Sequence, residues 1–261
     1  MITAGIDMGT QSTKVVILKD SKILSQKLVF SGFEPTNAAE QAFEEAMKKV
    51  QLTRSDIRHV TVTGSGADMA PYHESTISMV GADAKAGAYL FSTARTVIDI
   101  GAEEARAIRC DEKGTLLNFV VNERCAAGTG TFIEAMARAL EVKLEEMGSL
   151  SLKAEKASQI NATCVIFGES DVVTLIHRQE PKPEIARAIY DALAYRISSM
   201  VFRLGVNLDV ALVGGVAKDV GFVSSLKNKL GTDVLVPENP EFAGALGAAL
   251  FATERVGESN G

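Results

Sequence analysis

"IDMGTQSTKVVILKD", residues 6–20, is echoed by "IDIGAEEARAIRCDEKG", residues 98–114. When the two are aligned, Asp7 falls on Asp99, Gly9 on Gly101 and Lys14 on Arg106, the blocks starting 92 positions apart (98 − 6). Each block reads as a strand closing on an aspartate, a glycine turn, a second strand and a further turn, "KDSK" or "DEKG". A hairpin that occurs twice at this spacing predicts two similar α/β halves facing each other across a cleft. The first half is expected over residues 1–96, completed by a C-terminal helix over 241–256. The second is expected over 97–240, with a hinge near 94–98.

The remaining segments fit that plan. Apolar spacing predicts an amphipathic helix over 37–50, followed by the strand "HVTVTG" and a loop with a short helix through about residue 90. In the second half a helix begins near Thr131, with Phe132, Ile133, Met136, Ala137 and Leu140 on one face. A long helix is expected over 183–204. "VALVGGV" is a buried strand running into a glycine turn, followed by a helix and the strand "DVLVP". A final helix starts near Glu241, where Gly244 and Gly247 predict close packing on a sheet, since glycine otherwise weakens a helix.

Composition narrows the class of function. The chain has 261 residues, 46% of them apolar, enough for a large core. Its 27 Lys and Arg against 33 Asp and Glu leave a net charge of −6 with no basic block, which argues against a nucleic-acid partner. No apolar run approaches ~18 residues and no export signal opens the chain, so no membrane span is expected. Three cysteines, an odd number, argue against a disulfide framework and for a cytoplasmic protein.

The glycine turns are the first candidate site. Asp7 and Asp99 each end a strand and open a turn, a geometry that aims a carboxylate and backbone N–H groups at a shared ligand. Two such carboxylates would repel each other unless Mg²⁺ and a phosphate chain lay between them. Gly9, Thr10, Gln11, Ser12, Thr13 and Lys14 supply backbone, hydroxyl, amide and ammonium donors for phosphate oxygens. "VGGVAKD", residues 213–219, adds a strand–Gly–Gly–helix turn suited to a phosphate or nucleoside. Any one of these turns, taken alone, reads better as an ordinary hairpin needing glycine for its backbone; three together, with paired aspartates, favour a nucleotide. Neither a GxxxxGK[ST] loop nor a GxGxxG fingerprint after a strand occurs.

"NERCAAGTGTF", residues 122–132, is the second. Cys125 stands before Gly128, Thr129 and Gly130 at the entry to a helix, and Cys164 likewise precedes "VIFGESDVVTLI". Free N–H groups at a helix N-terminus stabilise a thiolate or another anion. Packing as small buried residues is the competing reading for both. Cys110 lies within a strand and reads as structural. His59, His73 and His177 are scattered without metal-ligand spacing. Glu134 reads equally as a nucleotide-ribose contact or an exposed helix-face acid, and Glu169 and Asp171 fall in the first helical turns after Cys164, where the dipole favours acids.

The two aspartate hairpins with "VGGVAKD" resemble the superfamily of acetate and sugar kinases, heat-shock ATPases and actin, which implies two ribonuclease-H-like halves with a nucleotide cleft between them. Within it, "CAAGTGTF" and "NATCVIFGESDV" resemble a narrower family, the BadF/BadG/BcrA/BcrD ATPases. These comprise activators of 2-hydroxyacyl-CoA dehydratases and ATPase subunits of ATP-dependent benzoyl-CoA reductase. The likeness runs from Ile2 to about Ala252. It implies that Cys125 and Cys164 ligate a [4Fe–4S] cluster shared between two subunits. It also implies that Asp7, helped by Asp99 and Glu103, organises Mg²⁺ and the attacking water. The phosphates of ATP would contact residues 9–14 with Gly101, Gly128, Thr129 and Gly130, and the adenosine would lie against Gly214, Gly215 and Lys218. Implied partners are a related ATPase subunit, iron–sulfur subunits that bind the acyl-CoA, and reduced ferredoxin as donor.

Many dehydratase activators carry Gly-Gly-Gln-Asp where this chain has "GAEE", residues 101–104, so Glu103 replaces an amide that would orient water. That turn, with "ITAGIDMGT" and "MGSLSL", is more like one ATPase subunit of benzoyl-CoA reductase, an enzyme of anaerobic aromatic degradation. The expectation is therefore a heterodimeric reductase subunit, with a homodimeric dehydratase activator as the alternative. A small-molecule kinase of the same fold would need its own general base in an acceptor pocket. A non-enzymatic nucleotide-binding regulator would need neither cysteine.

Overall fold

A computed structural model describes residues 1–122, 129–156, 158–160 and 164–258. The fold is α/β and divides into two units, one built from residues 1–93, 110–117 and 238 onward, the other from 94–109 and 118–237.

In the first unit, β1 (Ile2–Met8), β2 (Ser12–Lys19) and β3 (Lys22–Phe30) form an antiparallel meander. β4 (His59–Thr63) and β5 (Ser75–Thr76) add in parallel on the other side, giving the order β3-β2-β1-β4-β5. Alternation along β1 decides what packs where. Ala4, Ile6 and Met8 are buried against α1 (Pro35–Lys49), which presents Ala39, Ala42, Phe43 and Ala46. Pro35 starts this helix with its φ already set, and Gln51, at φ +57, ends it. Burying Phe43 alone contributes roughly 2–3 kcal/mol. Gly5 and Asp7 point to the opposite face, that of α8 (Ala243–Glu258).

Gly5 lets α8 lie directly on β1, because a Cβ there would strike the backbone of Ala245 and Ala249. Gly247 serves a different neighbour from the one expected: it faces the backbone of Ala82 in α2 (Met79–Leu90), a helix rather than the sheet. The short helix foreseen before residue 90 is thus a 12-residue element, capped by Ser78 accepting from Gly81 N at 3.2 Å.

The second unit repeats the plan. β6 (Thr96–Ile100), β7 (Ala105–Cys110) and β8 (Leu116–Asn122) form the meander, and β9 (Val210–Val213) and β10 (Val234–Leu235) join in parallel, giving β8-β7-β6-β9-β10. The order matches the first sheet strand for strand. α6 (Lys182–Leu204) buries Ile185, Ile189, Leu193, Ile197 and Leu204 and ends at Gly205, φ +85. Its core also takes Phe132 and Met136 of α3 (Gly130–Ala139) and Phe222 of α7 (Val220–Leu230). α4 (Leu144–Ser151) and α5 (Val165–His177) complete the unit. Among the described residues no helix is long and apolar enough to cross a membrane.

Candidate nucleotide and cysteine sites

In the first unit, register places Asp7 opposite Lys14 in β2 and opposite Thr63 in β4. Lys14 Nζ lies 3.5 Å from the Asp7 carboxylate and donates to Ser12 O at 3.1 Å. The turn is closed by Gly9 N donating to Ser12 O at 3.2 Å. Ser31, just after β3, fastens it from outside: its hydroxyl donates to Gly9 O and its N–H to Gln11 O, both at 3.0 Å. Thr10 and Gln11 are exposed at the tip. Thr13 is elsewhere. It pairs with Met8 rather than Asp7, so its side chain is fully buried on the other face of the sheet.

Glycines surround the Asp7 carboxylate. Gly64 has φ +99, and a Cβ there would lie 2.7 Å from Asp7 Oδ1. A Cβ at Gly244, in the first turn of α8, would lie 3.2 Å from Oδ2. The carboxylate therefore sits at the N-terminal end of a helix, where the dipole favours an anion.

The second unit reproduces this arrangement. Asp99 is opposite Arg106 in β7 and Val213 in β9, and the next residue, Gly214, has φ +87. A Cβ at Gly214 would press on Asp99 Oδ1. Arg106 bonds to Asp99 through one nitrogen and to Glu104 through the other, the latter at 2.7 Å. Gly101 N donates to Glu104 O at 2.9 Å, closing the turn, and Glu103 projects outward. The turn is joined to α3: Gly130 N donates to Gly101 O at 3.0 Å, and Thr131 donates to Ala102 O from its N–H at 2.9 Å and its hydroxyl at 2.6 Å. Gly130 thus packs on the hairpin, while Thr129 is fully buried at the N-cap. Gly215 and Lys218 are exposed on the glycine turn.

That turn is secured from below by Asp219, which caps α7. One carboxylate oxygen accepts from Gly221 N at 2.9 Å and Phe222 N at 3.2 Å, and the other accepts from the Tyr190 hydroxyl of α6. Burial raises the Asp219 carboxyl above its ordinary range, against the opposing pull of these donors. Burial and the neighbouring carboxylate push the Tyr190 phenol far above its usual value.

Cys164 is the half-buried N-cap residue of α5, with extended backbone, and its carbonyl accepts from Gly168 N at 3.0 Å. Just beyond it, Ile166 and Phe167 are exposed. Cys125 and Gly128 lie outside the described residues. Cys110 is buried at the end of β7. Of the histidines, His59 bonds Ser75 at 2.8 Å, and His73 and His177 are on the surface. Among the described residues no group of three or more His, Cys, Asp or Glu is placed to hold a metal ion. Mg²⁺, if carried with a nucleotide, needs only one or two carboxylates, its remaining ligands being phosphate and water.

Sequence reading missed Gly64, Ser31 and Tyr190, gave Arg106 no role, and foresaw Gly244 only as a packing residue on the sheet, not as a neighbour of the Asp7 carboxylate. "TVTGSG" and "ALVGGV" are counterparts, each a strand ending beside an aspartate in a glycine of positive φ, a likeness visible only once the parallel strands are paired.

A profile of the BadF/BadG/BcrA/BcrD ATPase family matches residues 4–252. The chain is 39% identical to the activator of lactoyl-CoA dehydratase of Anaerotignum propionicum, over 97% of this chain and 98% of that protein. It is 32% identical to one of the benzoyl-CoA reductase subunits of Thauera aromatica, over 97% of this chain and 94% of that protein. The solved activator of 2-hydroxyisocaproyl-CoA dehydratase from Clostridium difficile, with bound ADPNP, superposes with a TM-score of 0.93 at 37% identity, covering 100% of this chain and 97% of that one. A ROK family glucokinase from Streptomyces griseus shares the fold at a TM-score of 0.58 and 16% identity, over 97% of this chain and 100% of that one.

Proposed function

The chain belongs to the BadF/BadG/BcrA/BcrD ATPase family, and from that premise we propose that it hydrolyses ATP to drive electrons onto a partner enzyme acting on an acyl-CoA. The observation that carries this reading is the repeated site: a strand-end aspartate, a tight glycine turn and a facing glycine of positive φ, built once in each unit.

The residues fit a Mg²⁺–nucleotide. The backbone is left without Cβ atoms beside each carboxylate, and the turn after Asp7 offers Gly9, Thr10, Gln11, Ser12 and Lys14 to phosphate oxygens. Asp7 would be the carboxylate that holds the metal ion, which would neutralise phosphate charge, and Gly101 and Glu103 would line the second phosphate turn. Gly214, Gly215 and Lys218 form the nucleoside contact, and the Tyr190–Asp219 pair holds that turn in place. Thr13 is removed from the phosphate contacts, because its hydroxyl lies on the far face of the sheet.

Cys125 and Cys164 are the proposed ligands for a [4Fe–4S] cluster, two thiolates from each of two subunits. An N-cap position suits a thiolate, as for Cys164 here. When bound, such a cluster supplies a one-electron carrier. Reduced ferredoxin is the proposed donor.

For the partner, the expectation of a benzoyl-CoA reductase is not carried by the relatives. Three dehydratase activators stand at 39%, 36% and 32% identity, against 32% for the one reductase subunit. A 2-hydroxyacyl-CoA dehydratase, with this chain as a homodimer, is the better reading. The "GAEE" turn keeps the reductase subunit as a second one.

The test is anaerobic purification of the chain alone, followed by iron and acid-labile sulfide analysis beside Cys125→Ser and Cys164→Ser. About four of each per two chains, lost in both variants, is the expected result. ATP-dependent activation of a dehydratase component, with none of benzoyl-CoA reduction, would separate the partners. ATP binding without any iron would sink the electron-transfer reading.

A further inference from the structure

The two hairpins share a backbone plan but treat their aspartates differently. Around Asp7, the facing cation is a lysine, ion-paired at 3.5 Å, the outer limit of hydrogen-bond reach, and already donating to Ser12 O. An ammonium on a flexible stem can leave as a metal arrives. Around Asp99, the facing cation is Arg106, hydrogen-bonded to Asp99 through one arm and to Glu104, inside the turn, through the other. Arg106 and Asp99 are each 11% exposed at the side chain. A planar guanidinium forked between two carboxylates is far more firmly held than an ammonium, and breaking it would strand a buried charge.

We propose that the two hairpins differ in role: Asp7 serves the metal ion, while Asp99 is held by Arg106 and anchors the turn of residues 101–104. Arg106 is then a positioning residue. It cancels the Asp99 charge beside the turn assigned above to phosphate. Through Glu104 it fixes the turn whose carbonyls accept from Gly130 and Thr131. The proposal rests on the Mg²⁺–nucleotide reading above and assigns which carboxylate does the work.

The experiment is calorimetric titration of the full chain with ADP, with and without Mg²⁺, which needs no turnover. The readout is the ratio of the two affinities, which a general loss of stability would not shift selectively. Asp7→Asn should lose about tenfold or more of the tightening by Mg²⁺, as expected for removing a charged ligand. Asp99→Asn should keep that tightening within about twofold of wild type. Arg106→Gln should weaken Mg²⁺-free ADP binding by about tenfold, through repulsion from an uncancelled Asp99. Arg106→Lys, and the double variant Asp99→Asn with Arg106→Gln, should restore it.

Loss of the Mg²⁺ effect in Asp99→Asn to the extent seen in Asp7→Asn would overturn the proposal. If Arg106→Gln fails to fold, the two aspartate variants still decide. Wild-type protein that binds no ADP under either condition would bring down the functional reading itself, a distinct result.

Discussion

Gly64 and Gly214 hold equivalent places, each the first residue beyond a parallel strand and each beside the aspartate of the neighbouring strand. Both have φ between +87 and +99, where a Cβ costs about 1–2 kcal/mol from backbone strain alone. At Gly64 the added Cβ would also meet Asp7 Oδ1 at 2.7 Å, so the carboxylate itself must move. Gly64→Ala should lower the melting temperature and depress Mg²⁺-dependent ATP hydrolysis together. Gly257→Ala, near the end of α8, is the control: nothing lies within 4 Å of its Cβ position and its φ is not positive, so stability should change by less than about 1 kcal/mol and hydrolysis should be kept. An equal loss of hydrolysis in both variants would contradict the role given to the Asp7 surroundings. Ser31→Ala removes one side-chain hydrogen bond to Gly9 O and should cost about 1 kcal/mol. Because the hydroxyl fastens the phosphate turn without touching a ligand, a higher KM for ATP should accompany that loss, and steady-state kinetics read it directly.

At the scale of elements, α7 depends on Asp219. Three donors converge on one half-buried carboxylate, two of them the backbone N–H groups that a helix start leaves without partners. Tyr190→Phe keeps the ring in the core and removes one donor, so it should destabilise by about 1–3 kcal/mol in denaturant unfolding. The pH dependence has a definite sign. Burial raises the Asp219 pKa in the folded state, so the folded chain holds this proton more tightly than the unfolded chain. Its contribution is full below the ordinary carboxylate pKa, near 4, and is lost as pH rises through the raised folded value. Asn caps a helix about as well as Asp. Asp219→Asn should therefore remove that decline from the stability–pH curve while keeping the helix. An unchanged curve would show that the carboxylate does not titrate with folding.

The same elements show what could be read in advance. Paired hairpins, the α1 and α6 stripes and the glycine-rich α8 all announce themselves through periodicity and repetition. The two-residue strands β5 and β10 do not, being too short to carry an alternation. α2 is longer than its sequence suggests because "MVGADAKAGAYL" is mostly small residues, which mark close helix contact rather than a strong apolar stripe. The Arg106 fork is half visible: alignment with Lys14 places a cation opposite Asp99, but the second bond, to Glu104, depends on how the turn folds.

For the whole molecule, the two units are one plan written twice and then specialised. The meander-plus-parallel order, the aspartate register and the glycine of positive φ all recur. The differences show what each copy has been given. In the first, α8 returns from the far end of the chain to cover the sheet and bring its N-terminus to Asp7. In the second, the corresponding turn is tied instead to α3, which follows the Cys125 segment in sequence. Cys164 stands at the head of α5, whose surface carries Ile166, Phe167 and Val173 at 71%, 59% and 45% exposure. On the proposed bridging cluster, a chain offering two thiolates would need a second subunit, and the exposed apolar face of α5 beside Cys164 is the surface proposed for it. Phe167→Asp should therefore convert dimer to monomer on anaerobic size-exclusion chromatography. Iron should be lost while ADP binding stays within about threefold of wild type, since no nucleotide contact is assigned to α5. A dimer that survives this charge with its iron in place would move the interface off α5, and the second pair of thiolates would have to approach from a different face.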